Sequence, residues 1–190
     1  GWPIMGNNGN PYEKFRKPKS DSKTIVNPQE SDEFNSPMMG LQWQWHANYK
    51  DVYGMPTSLG VFRIYNNKSN QTIWHTPNLL LQKTPADNFT ATAKLRLTAK
   101  NENQMGGIIM MGLDYSALVV KRVGNKFQLQ QITCKNADKD TAEEVKVIAT
   151  LDATAKDKID YQPAIHEDIY MRMKVNKGKC KSILEPEIYF

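Results

Sequence analysis

The chain has 190 residues, 39% of them hydrophobic, and 25 Lys and Arg against 20 Asp and Glu give a formal net charge of +5. Two cysteines exclude a disulfide-dense mini-scaffold and a four-cysteine zinc module. The longest apolar run, Met105 to Leu113, contains three glycines and falls well short of the roughly 18 residues of a membrane-spanning helix, so the remaining class is one globular core with an appendage.

Residues 1–18 hold glycines, prolines, Trp2, Tyr12 and Phe15 without periodicity. The chain opens Gly1-Trp2-Pro3 with neither an initiator Met nor a leader-like apolar stretch, which reads as a piece cut from a larger body. Residues 19–30 are polar apart from Ile25 and Val26 and predict a linker or surface strap. From Ser31 onward the pattern becomes that of short strands. Residues 89–99 alternate Phe89, Ala91, Ala93, Leu95, Leu97 and Ala99 with Thr90, Thr92, Lys94, Arg96 and Thr98, the period of a half-buried strand. Residues 169–175 repeat it, with Ile169, Met171, Met173 and Val175 facing inward. Further strands are predicted at 59–65, 78–83, 107–111, 116–122, 126–134 and 144–150. In the last, Val145, Val147 and Ala149 are expected to share a face. Asn66 to Asn70 reads as a polar loop and Asp114-Tyr115 as a turn. Gly124-Asn125 predicts a two-residue hairpin with the positive φ of a type II′ turn at the glycine. Gly106-Gly107 lies inside a strand pattern and predicts a bulge or a close sheet contact. No apolar pattern of helical period persists, so the expected fold is an antiparallel β-sandwich or jelly roll.

Trp43, Trp45, Tyr49 and Tyr53 lie within eleven residues, and Trp74 follows. A flat exposed indole suits a sugar ring, whose axial C–H bonds pack on a π face. An extended backbone would place Trp43 and Trp45 on one face and Gln42 and Gln44 on the other. The same indoles equally suit a core or a domain interface. His46, His75 and His166 lack local zinc spacing. Asp32/Glu33, Glu143/Glu144 and Glu167/Asp168 are adjacent couples whose side chains point apart on a strand, so they read as solvated charge and not as a hydrolytic pair. Asp32, Glu33 and Asn35 are oxygen donors of the kind calcium takes, without a loop signature. No cofactor is implied. No G-x-S-x-G elbow or phosphate loop appears. Lys94, Arg96, Lys121, Arg122 and Lys174 lack an interleaved aromatic platform, which argues against nucleic acid as a partner. Cys134 and Cys180 read either as a bridge between neighbouring strands or as two isolated thiols.

Four blocks in order, Ser31-Asp32-Glu33-Phe34-Asn35, Leu41-Gln42-Trp43-Gln44-Trp45, Trp74 to Lys83 and Met111-Gly112-Leu113-Asp114-Tyr115, resemble the C-terminal concanavalin A-like domain of β-xylosidases in glycoside hydrolase family 43. Gly1 to Gly6 resembles the end of that family's catalytic five-bladed propeller. The resemblance implies a propeller remnant at 1–18, a linker at 19–30 and a β-sandwich at 31–190. Members usually carry Asp where this chain has His75. They also continue into a further hairpin and a glycine-rich strand beyond the region of Ser182 to Phe190, so the final strands are expected to be missing or replaced. The resemblance places the inverting carboxylates on the propeller and assigns no catalytic residue to this chain. It implies a propeller partner in the same polypeptide, xylo-oligosaccharide as substrate, no membrane partner, and a setting that is often periplasmic or secreted, with cytoplasmic members also common. The alternative reading is an autonomous carbohydrate-binding module gripping xylan through Trp43, Trp45 and Trp74. A complete small enzyme would need two facing carboxylates in a cleft.

Overall fold

A computed structural model describes residues 6, 8, 10–14, 16, 19, 24, 27, 29–67, 72–152, 155–156, 163–176 and 187–189. Trp2, Phe15, Ile25, Val26, Asn70, Cys180 and the side chains of His166 and Glu167 lie outside the described residues, as does most of the expected remnant and linker.

Twelve strands are described: β1 (Gln44–Trp45), β2 (Gly54–Pro56), β3 (Phe62–Ile64), β4 (Leu80–Leu81), β5 (Phe89–Thr98), β6 (Met105–Met110), β7 (Tyr115–Val123), β8 (Lys126–Cys134), β9 (Glu144–Asp152), β10 (Ala155–Lys156), β11 (Pro163–Val175) and β12 (Glu187–Tyr189). All pairings are antiparallel. One sheet runs β6-β7-β8-β9. In the other, β11 has β5 on one side and β10 and β12 on the other, while β1–β4 and β2–β3 form two small ladders. The fold is therefore an antiparallel β-sandwich. Among the described residues no helix is long and apolar enough to cross a membrane.

The two larger sheets face each other across Leu97, Leu118, Val120, Phe127, Leu129, Ile165, Ile169 and Met171. Phe127, Leu118, Ile165, Ile169, Met171 and Val120 are the largest fully buried side chains. The reverse face of β7 is covered as well. Tyr115, Ala117 and Val119 join Ile132, Cys134 and Ala137 in a second cluster beneath Ile73, Trp74 and Leu79. Residues 115–120 are consequently all buried, and the continuous apolar run in β7 follows from cover on both sides.

Hairpin Gly124-Asn125 forms as expected, with Val123 opposite Lys126 and Gly124 at φ 61°. Gly106-Gly107 is a close contact without a register break, since a Cβ at Gly107 would stand 2.8 Å from the Val119 Cα. Asp114 ends the preceding turn, but Tyr115 is the first residue of β7. In β9 the expected alternation fails. Gln130 pairs with Val147 and Leu129 with Ala149, so Ile148 is an extra residue in a bulge. Val145 and Val147 are exposed, and Ala149, one step across the bulge, packs on the main core. The closing stretch, where the family's final strands were expected to be missing or replaced, supplies β12 beside Tyr170 to Arg172.

Candidate functional site

Residues 31–67 build an aromatic layer, and it begins with one carboxylate. Asp32 Oδ1 accepts from the Phe34 N–H at 2.8 Å, an Asx turn that carries Phe34 into the left-handed region at φ 53°. Asp32 Oδ2 accepts from Gln42 Nε2 at 3.0 Å and Trp43 Nε1 at 2.9 Å. Both oxygens thus serve N–H donors. Among the described residues no three His, Cys, Asp or Glu side chains converge on a metal position.

From this anchor the rings run in a row. Phe34 stacks on Trp43 with centroids 5.4 Å apart and meets Phe62 at the same distance. Phe62 lies 6.1 Å from Trp45, which meets Tyr53 edge-on at 5.6 Å and Tyr49 at 6.4 Å. Trp43 and Trp45 are therefore linked through Phe34 and Phe62, although only Gln44–Trp45 of this stretch is a strand. Gln42 does not point away, because the chain turns there and its amide joins Trp43 on Asp32. Both indoles are half-buried, and Trp45 Nε1 is buried without a hydrogen-bond partner.

Trp74 belongs to a different group. It sits in a short 3-10 turn, Ile73–His75, and packs on the Tyr115–Ile132 cluster. His46 stands edge-on to its ring at 5.7 Å and donates from Nε2 to its carbonyl oxygen at 2.9 Å. The neighbouring Asn78 is buried and donates from Nδ2 to the Tyr65 carbonyl at 2.6 Å, tying the two small ladders together. The three tryptophans are thus divided between two clusters, and all three have structural ring contacts.

One member of each carboxylate couple is a structural acceptor, where solvated charge was expected. Glu143 Oε1 accepts from the Tyr115 hydroxyl at 2.5 Å and the Ile73 N–H at 2.6 Å, fastening the Trp74 turn to β7. Burial, and then this bond, push the Tyr115 phenol well above its usual value near 10. Asp168 lies opposite Lys94 Nζ at 2.7 Å and Arg96 Nε at 2.6 Å, and first Lys94, then Arg96, hold its carboxyl below the ordinary range. A register shift between Ile165 and Ile169 carries it there while keeping both isoleucines buried. His75 faces Asp140 at 2.5 Å. Cys134 is a buried free thiol that donates to the Thr141 carbonyl at 3.2 Å. Arg122 Nη1 donates to the Ala99 and Lys100 carbonyls, so this cation clamps the chain beyond β5. Sequence reasoning missed the anchoring roles of Asp32 and Glu143. Asp-x-Phe followed by an indole eleven residues on was the available signal for Asp32, whereas nothing local marks Glu143.

A shallow cleft of about 390 Å³ opens beside this layer, lined by Asn35, Pro37, Pro56, Thr57, Ser58 and Gly60.

Residues 31–184 match the family described as the beta xylosidase C-terminal concanavalin A-like domain. The chain belongs to that family. As a family 43 C-terminal domain it resembles the non-reducing end alpha-L-arabinofuranosidase BoGH43B of Bacteroides ovatus, 26% identical over 145 residues that cover 74% of this chain and 27% of the relative. It is also similar to a beta-xylosidase of Formosa agariphila, 26% identical over 149 residues covering 64% of this chain and 25% of the relative. The chain spans about a quarter of the length of these curated relatives. No solved structure matches this family 43 domain.

Proposed function

We propose that this chain is the non-catalytic accessory sandwich of a β-xylosidase or α-L-arabinofuranosidase acting on xylan-derived oligosaccharides, supporting the propeller and walling one end of its pocket. The observation that carries this reading is the family match over 31–184 in a chain spanning a quarter of two relatives named for those activities. The carboxylate chemistry supports it. An inverting glycosidase needs an acid and a base about 6.5–9.5 Å apart with room for water. Here Asp32, Glu143 and Asp168 are instead held by N–H, hydroxyl and cationic groups within the fold.

The test is release of p-nitrophenol from aryl β-xyloside and α-L-arabinofuranoside. The purified chain is expected to release none and the complete polypeptide to turn over, and release by the purified chain overturns the proposal. A parallel titration with xylo-oligosaccharides, followed by tryptophan fluorescence, is expected to stay flat to millimolar ligand. Saturable quenching lost on Trp43→Ala, Trp45→Ala or Trp74→Ala would instead establish the carbohydrate-binding module.

A further inference from the structure

The β2–β3 hairpin has two unlike faces. In a strand alternate side chains share a face. Phe62 turns inward onto Phe34 and Trp45. Arg63 pairs with Met55 on the opposite side, and the alternation places Val61 and Tyr65 in the same row as Arg63. The Tyr65 hydroxyl donates to Met55 Sδ at 3.5 Å, which joins the two edges of that surface. Met55 is 50% exposed, Val61 48% and Tyr65 42%, and Leu59 at the tip is 80% exposed. Arg63, also exposed, makes no ion pair among the described residues. The outer face is thus an apolar surface with one guanidinium in its middle that has no ion-pair partner among the described residues.

This surface is held in place from beneath and at its tip. Thr57 donates from its N–H and its Oγ1 to the Val61 carbonyl at 2.9 and 3.0 Å, the Leu59 N–H donates to Thr57 Oγ1 at 3.3 Å, and Gly60 supplies a φ of 67°. Contiguous apolar surface rimmed by polar groups marks an interaction site, and a pre-ordered one loses little entropy on docking. The cleft beside the tip gives a partner side chain somewhere to enter.

We infer that this outer hairpin face, with Met55, Val61 and Tyr65 around Arg63, is where the domain docks on the catalytic domain of the same polypeptide, against an apolar patch bearing a carboxylate for Arg63. The inference rests on the accessory-domain reading. Its occupant is argued from the length of chain outside this structure, since the matched region covers only 25–27% of the relatives. An arginine desolvated beside apolar contacts pairs with a carboxylate by two charge-assisted bonds, which sets the register of docking.

The experiment compares amide hydrogen exchange in the complete polypeptide and in the 190-residue chain. Amides of residues 55–65 are expected to exchange at least about tenfold more slowly in the complete polypeptide. The double variant Met55→Glu, Val61→Glu is expected to remove that protection while leaving the melting temperature of the 190-residue chain unchanged. Arg63→Glu serves the same purpose should the double variant fold poorly. Protection appearing over Thr90 to Thr98 in place of the hairpin overturns this inference and leaves the accessory role standing. Protection nowhere overturns both.

Discussion

The sheet β6-β7-β8-β9 and the aromatic layer of residues 31–67 draw on similar apolar residue types and dispose of them differently. In the sheet, β7 is covered on both faces and its apolar side chains from Tyr115 to Val120 are buried. In the aromatic layer, rings pair edge-on or stacked above a single carboxylate, and Met38, Leu41, Tyr49, Val52, Met55, Leu59 and Val61 remain exposed. Long ladders satisfy the backbone and bring apolar faces together within one chain. Two- and three-residue ladders leave half their surface for something else to cover. β7 is thus closed on both faces between Tyr115 and Val120, although the edge strand β9 keeps Val145 and Val147 exposed, whereas the aromatic layer has one side open.

Substitutions sharpen that contrast. The largest effect is expected in the closed region. Phe127→Ala should lower unfolding free energy by about 3–5 kcal/mol in urea titration, because the fully buried ring leaves a cavity between two sheets. Next comes the fastening of the Trp74 turn to the sheet. Glu143→Ala leaves the Tyr115 hydroxyl and the Ile73 N–H without their acceptor, a loss of about 1–3 kcal/mol. The same contact carries a pH signature. Because the folded Tyr115 phenol is held above its usual value near 10, the unfolded chain ionises first, and stability should fall as pH rises beyond about 10. Tyr115→Phe should flatten that slope in thermal melts. The smallest effect belongs to the open side. Val61→Thr in the 190-residue chain should stay within about 0.5 kcal/mol of the parent. A cost comparable to that at Phe127 would mean the hairpin face is already covered, and the contrast would fail.

Legibility follows the range of the interactions. β5 was readable to within one residue, expected at 89–99 and found at Phe89–Thr98, because one face meets the core and the other meets water and period 2 follows directly. The Gly124 turn was readable because its φ is a local requirement. The sharing of a face by Val145, Val147 and Ala149 was misread, because a bulge at Ile148 is imposed by the neighbouring strand. β1, β2, β10 and β12 are too short for any periodicity. In the candidate site, the tryptophans drew attention through composition. Glu143 went unseen because its partners lie 28 and 70 positions away.

The sequence by itself determined the alternating strands, the all-β class and, through four ordered blocks, the family, since each of these is local or collinear. Only the tertiary structure decided that Trp74 and the Trp43–Trp45 pair belong to separate clusters, that Asp32, Glu143 and Asp168 are structural acceptors, and that one hairpin face is left open. Those outcomes depend on which distant side chains arrive at the same place, and hydrogen bonds and ring contacts across dozens of residues leave no periodic trace along the chain.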